Sequence, residues 1–181
     1  MTDIPIGDAA AADSTVRLAA IGDEVAFARL VERHHGSMAK VAYAVCGDAE
    51  AARDATQSAW TIAWRRLPTL RDHAQVRAWL VAIAANEARQ AIRRGGRRIV
   101  VDISESLDAA PGGDPAERIG SVDLARALAG LKPDDRALLA LRFVAGLDST
   151  EIAAQLGMSA SGVRSRLSRL IERLREELDH A

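Results

Sequence analysis

Residues 99–120 read IVVDISESLDAAPGGDPAERIG, and no other stretch constrains the fold of this 181-residue chain as tightly. The stretch has no helical period, two Pro, three Gly and an excess of acid, which is the composition of a linker. On both sides of it apolar residues recur every three or four positions, as on one face of a helix. IVVDI has the makeup of a short strand, but no second run in the chain offers it a partner. The core must come from helices, in two units. Ala and Leu, both strong helix formers, supply most of the apolar surface. The expected fold is all-α: two small helical domains joined by an acidic flexible linker.

Residues 1–14 are small and acidic and read as a disordered N-terminus. The first domain spans 15–98. An amphipathic run over about 15–46 puts Leu18, Ile21, Phe27, Leu30, Val31, Met38, Val41 and Val45 at helical spacing. Asp48 is positioned to cap a helix over 49–66, which Pro68 ends. After the polar loop TLRDHAQ, a helix over about 75–94 stops at Gly95–Gly96. The linker takes 99–121 and the second domain 122–181. In that domain helical pattern covers 121–130, Pro133 to about 145, 148–156 and 159–178.

The formal net charge of −1 hides a strong segregation. Residues 53–98 carry ten Arg against Asp54, Asp72 and Glu87, and residues 160–175 carry five Arg against Glu172 alone. The acid gathers at the N-terminus and in the linker. Two basic blocks flanking an acidic spacer suit a polyanionic partner, although solvated Arg-rich helix faces would look the same.

LDSTEIAAQLGMSASGVRSRL has the signature of a helix-turn-helix. Asp148 or Ser149 can cap the first helix, and Glu151 lies three residues after Asp148, as in a capping box; Gly157 sits where the tight turn needs it, and Ser159 can cap the second helix. Val163, Leu167, Leu170, Ile171, Leu174 and Leu178 form its apolar stripe. Ser161, Arg164, Ser165, Ser168 and Arg169 lie off that stripe and Arg166 on its flank. Arg and Ser at such positions bond guanine edges or phosphates when the helix enters a major groove. A purely structural hairpin has the same outline.

In the first domain Trp60, Trp64 and Trp79 fall within twenty residues, the spacing of core packing for at least one of them. On the 75–94 helix Val76, Leu80, Ile83, Ala84 and Ala91 read as the buried stripe. Asn86, Arg89, Gln90 and Arg93 form the opposite face, continued by Arg94, Arg97 and Arg98. Cations at a helix C-terminus are favoured by its dipole, but this cluster exceeds what a cap requires.

At this point a family resemblance becomes specific. GDAEAARDATQSAWTIAWRRL followed by VRAWLVAIAANEARQAIRR resembles region 2 of bacterial RNA polymerase sigma factors. LKPDDRALLALRFVAGLDSTEIAAQLGMSASGVRSRLSRLIERLREEL resembles their region 4. Two such segments with only a linker between them are the layout of the extracytoplasmic-function (ECF) group. The resemblance implies a sigma factor that binds core RNA polymerase through the β′ clamp helices and β flap and directs it to promoter DNA. It implies that Asp54, Gln57, Thr61 and Arg65 meet the core enzyme. Arg71, Asp72, Arg77, Asn86, Arg89, Gln90, Arg93 and Arg94 would melt and read the −10 element, with a pocket for an extracted base near residues 69–75 and Asn86. Ser159, Ser161, Arg164, Ser165, Arg166 and Arg169 would read the −35 element. An anti-sigma factor is an implied further partner.

The chain departs from the family pattern at Ser58, where an acid is usual, and at Ala82 and Ala85, where Arg is common. Gln90 stands in for an Asp and Gly162 for a Thr, which bears on promoter preference more than on class. A stand-alone helix-turn-helix regulator would leave the basic first half unexplained. A mimic that only sequesters an anti-sigma factor would not need the two Arg blocks. No catalytic constellation, metal site or cofactor motif stands out. Cys46 is the only cysteine, and the pair His34–His35 reads as helix surface. With no signal sequence or apolar span, a cytoplasmic chain without membrane insertion is expected.

Overall fold

The computed structural model describes residues 14–95, 124 and 126–179. The stretches read from the sequence as a linker, 99–121, and as a disordered N-terminus, 1–14, lie outside the described residues except for Ser14, as do Arg97 and Arg98. Among the described residues the chain is helical throughout, with no strand.

The run expected over 15–46 is two helices, not one. Helix α1 is seen at 14–20, and α2 covers Glu24–Cys46. Gly22 turns the chain at φ 96°, and the Asp23 carboxylate accepts from the Ala26 N–H at 2.9 Å to start α2. This break turns Ile21 outward, 82% exposed, although its spacing in the sequence put it with the core. Gly47, at φ 67°, ends α2 with its N–H on the Tyr43 carbonyl. Asp48 then caps α3, Ala49–Arg66, as expected from the sequence. Pro68 sits inside a short 3-10 turn, Leu67–Thr69. A second 3-10 turn, His73–Gln75, is capped by Asp72 and leads into α4, Val76–Gly95. Helices α2, α3 and α4 pack together over Met38, Val41, Ala59, Ala63, Leu80 and Ala84. Small side chains dominate the α3 and α4 faces, so these helices approach closely.

The second unit begins with α5, seen at 124 and 126–130, followed by α6, Pro133–Leu139. At Ala140–Val144 the backbone widens to a π turn, and the Ala145 N–H reaches the Ala140 carbonyl at 2.9 Å. Helices α7, Ser149–Leu156, and α8, Ala160–Asp179, complete the unit. Val163, Leu167, Leu170 and Leu174 line the buried side of α8, as their spacing requires.

The two units pack against each other. Helix α6 and the π turn lie on α2, while α6 and α7 lie on α4. The buried surface of α4 is therefore wider than its apolar stripe: Val81, Ala85 and Ala88 beside the stripe are buried as well, and so is Glu87 within it. His34, read from the sequence as surface, is buried at 9% exposure. Burial lowers its pKa first, and the neighbouring charges of Arg33 and Arg77 lower it further.

Candidate nucleic-acid and polymerase interfaces

The helix-turn-helix is built as its sequence dictates. The Asp148 carboxylate accepts from the N–H groups of Thr150 and Glu151, and the Glu151 carboxylate accepts from the Asp148 N–H at 2.8 Å. This reciprocal box fixes the start of α7. Gly157, at φ 64°, makes the turn, and the Ser159 hydroxyl accepts from the Gly162 N–H at 3.0 Å to start α8. A Cβ at Gly162 would lie 3.0 Å from that same hydroxyl oxygen, so the glycine makes room for the cap. From this start α8 presents Ser161, Arg164, Ser165, Ser168 and Arg169, all exposed, on the side away from Val163 and Leu167. Arg166 is different. Its Nε and one terminal nitrogen bond Asp135 Oδ1 at 3.0 and 2.7 Å, which ties it to α6.

The α4 arginines are engaged. Arg93 donates to both carboxylate oxygens of Asp134, at 2.9 and 3.0 Å, and Arg89 lies 3.2 Å from the same carboxylate. Arg89 also donates to Asn86 Oδ1 at 2.7 Å. Gln90 donates to the buried Glu87 at 3.0 Å, and Arg94 lies 3.9 Å from it. Arg77 donates to the Ala145 carbonyl of the second unit. In the loop before α4, Arg71 is exposed and Asp72 is occupied as a cap.

On α3, Asp54, Gln57, Ser58, Thr61 and Arg65 are all exposed, and steps of three and four put them on one face. Ala52, Ala55, Ala59 and Ala63 take the buried side. None of the three tryptophans is fully buried. Trp60 and Trp64 meet Phe27 edge-to-face at 5.6 and 4.7 Å, and Trp60 Nε1 donates to His35 Nδ1 at 3.2 Å.

Sequence reasoning missed an apolar groove of about 370 Å³ in the second unit, lined by Leu128, Leu139, Phe143, Val144, Leu174 and Arg136, among others, with Ala44 of α2 at its edge. Phe143 is 62% exposed there, two positions after the buried Leu141, a step that turns a helical side chain to the opposite side. Arg136 is 4% exposed and its Nε has no partner among the described residues; burial pushes its pKa down. The nearby Cys46 thiol is pushed up to about 11 by burial and so stays protonated. Among the described residues no cluster of His, Cys, Asp or Glu is arranged to hold a metal, and no helix is long and apolar enough to cross a membrane.

Two family models match the chain in the order of its two units: Sigma-70 region 2 over residues 30–98, and Sigma-70, region 4 over residues 121–174. The chain belongs to the sigma-70 family, in its ECF group. It is 33% identical over 168 residues to the probable RNA polymerase sigma factor RfaY of Xanthomonas campestris, covering 88% of this chain and 42% of that one. It is 32% identical over 169 residues to the ECF RNA polymerase sigma factor SigE of Mycolicibacterium smegmatis, covering 88% of this chain and 65% of that one. The chain thus spans less than two thirds of the length of either relative. The solved structure of CnrH in complex with the cytosolic domain of CnrY is similar in fold, with a TM-score of 0.70 and 27% identity. The match covers 94% of this chain and 98% of CnrH.

Proposed function

We propose that this member of the sigma-70 family is an alternative sigma factor, a non-enzymatic cytoplasmic subunit that binds core RNA polymerase and directs it to promoters. The pairing of a region 2 unit and a region 4 unit in one chain carries this reading, since neither unit alone requires a polymerase. Region 4 reads the −35 element through Ser159, Ser161, Arg164, Ser165, Arg166 and Arg169. The exposed Arg164 and Arg169 supply its base and phosphate contacts. Region 2 melts and reads the −10 element through the loop and face that hold Arg71, Asp72, Arg77, Asn86, Arg89, Gln90, Arg93 and Arg94. The exposed face of α3 with Asp54, Gln57, Thr61 and Arg65 meets the β′ clamp helices, and region 4 touches the β flap.

A protein regulator of the anti-sigma kind is part of the proposal. It is supported by the likeness to CnrH, solved with the cytosolic domain of CnrY, and by the exposed apolar groove beside Phe143. The test is transcription by core RNA polymerase on promoter fragments, with and without this chain. Specific initiation that depends on the chain is expected. Tight operator binding without core, and no initiation with it, would show a stand-alone regulator instead.

A further inference from the structure

Helix α4 holds a single acid, Glu87, and it is buried at 7% exposure. A carboxylate taken out of water needs hydrogen bonds to offset its lost hydration. Here they come from side chains assigned to the −10 face. Gln90 Nε2 donates to Glu87 Oε1 at 3.0 Å and Asn86 Nδ2 donates to the same oxygen at 3.4 Å, while Arg94 lies 3.9 Å from Oε2. Three DNA-reading positions thus converge on one carboxylate that lies beneath the surface they form.

That convergence sets which end of each amide is available. A carboxylate has no hydrogen to give, so it binds an amide by its nitrogen. Asn86 sits between Glu87 and Arg89, and Arg89 donates to Asn86 Oδ1 at 2.7 Å. An acceptor on one side and a donor on the other therefore occupy both ends of that amide. Gln90 is bound through its nitrogen, which leaves Oε1 of this partly exposed side chain to accept. Turning the Gln90 amide over would break its bond to Glu87 and set Oε1 against the carboxylate. A glutamine that could offer DNA either a donor or an acceptor is thereby held as an acceptor.

We infer that Glu87 is a positioning residue for promoter choice: by holding the Gln90 nitrogen it presents Gln90 Oε1 to DNA, which favours a −10 base bearing an amino group. Adenine and cytosine carry an amino group at the edge where guanine and thymine carry a carbonyl oxygen. The distinction holds in the major groove and in a melted strand alike. The inference rests on the −10 assignment of Gln90 made above, and adds to it a class of base and the residue that sets it. Glu87 touches no base itself; it acts through Gln90.

The test is initiation by core RNA polymerase from a promoter library randomised through the −10 element, with the intact chain, Gln90→Ala and Glu87→Gln. Gln90→Ala identifies the position that Gln90 reads. There the intact chain is expected to favour A or C over G or T by on the order of 10-fold. Glu87→Gln keeps the shape of the side chain but can donate to Oε1 as well as accept, so the ratio is expected to fall to about 3-fold or less. A merely structural Glu87 would lower initiation from every promoter alike and leave the ratio as it was, and that result would overturn the inference. An intact-chain preference for G or T at the Gln90 position would do the same without relying on a Glu87 variant. Specific initiation that Gln90→Ala alters at no position removes the inference and leaves the sigma assignment standing. An absence of chain-dependent initiation from any promoter defeats both.

Discussion

The two arginine-bearing faces were built alike in sequence and treated differently by the fold. On α8, Arg164 and Arg169 stand exposed beyond an apolar stripe, on a unit whose turn and caps are complete in themselves. On α4, Arg77, Arg89 and Arg93 likewise stand beyond an apolar stripe, but each is paired with a group of the second unit. Charge pattern thus marks a surface that has an anionic partner without saying whether that partner is DNA or the chain's own carboxylate. The same guanidinium fork donates to either.

The contrast can be broken most forcefully at the interface between the units. Leu141 is fully buried in the π turn that packs on α2. Leu141→Ala is expected to cost about 2–5 kcal/mol of stability in urea unfolding, through lost burial and a residual cavity. A cost well below this would mean that the π turn contributes little to holding the covered side. Next in size is the open face. Arg164→Ala is expected to lose about 1–3 kcal/mol at one −35 position if it bonds a base, seen as relaxed discrimination among promoter variants with core polymerase. A uniform loss across sequences would identify a phosphate contact. Arg93→Ala should leave oligonucleotide binding by the free chain nearly unchanged. With core polymerase it should reduce the salt slope by about one. A free chain as sensitive at Arg93 as at Arg164 would erase the distinction between the faces.

A smaller effect is expected at the cap of α7. Asp148→Ala removes two hydrogen bonds to backbone N–H groups and should cost about 0.5–2 kcal/mol, read as a lower denaturant midpoint at unchanged slope. The smallest concerns His34. Its pKa in the folded chain lies below the ordinary 6.5, so below pH 6.5 the unfolded chain binds the proton first. Stability is therefore complete above about pH 6.5 and is lost as pH falls through the folded value. His34→Gln should flatten that part of the stability–pH curve, and an unchanged curve would assign the acid loss to other groups.

Much of the fold was legible because its determinants are local. The caps at Asp48, Asp148 and Ser159, the turn at Gly157 and the apolar stripe of α8 each depend on residues within a turn or two. The break at Gly22 was local too, yet apolar spacing continued through it and hid it. Asp23, followed by Glu24, was the signal that marked the new helix start. The exposed row on α3 needed only helical periodicity and a family resemblance. His34, the α4 arginines and the apolar groove required partners more than forty residues away, and no periodicity carries that information.

The sequence by itself determined a chain of helices in two units, one carrying a helix-turn-helix, with basic blocks at α4 and α8. Hydrophobic spacing, caps and turn glycines act at short range and are written along the chain. Only the tertiary structure decided which basic block is free. That depends on Asp134 meeting Arg93 across 41 positions, and on helices α6 and α7 settling on α4. Packing brings those groups together, and the pairing of a carboxylate with a guanidinium depends on their distance in space, not on their order in sequence.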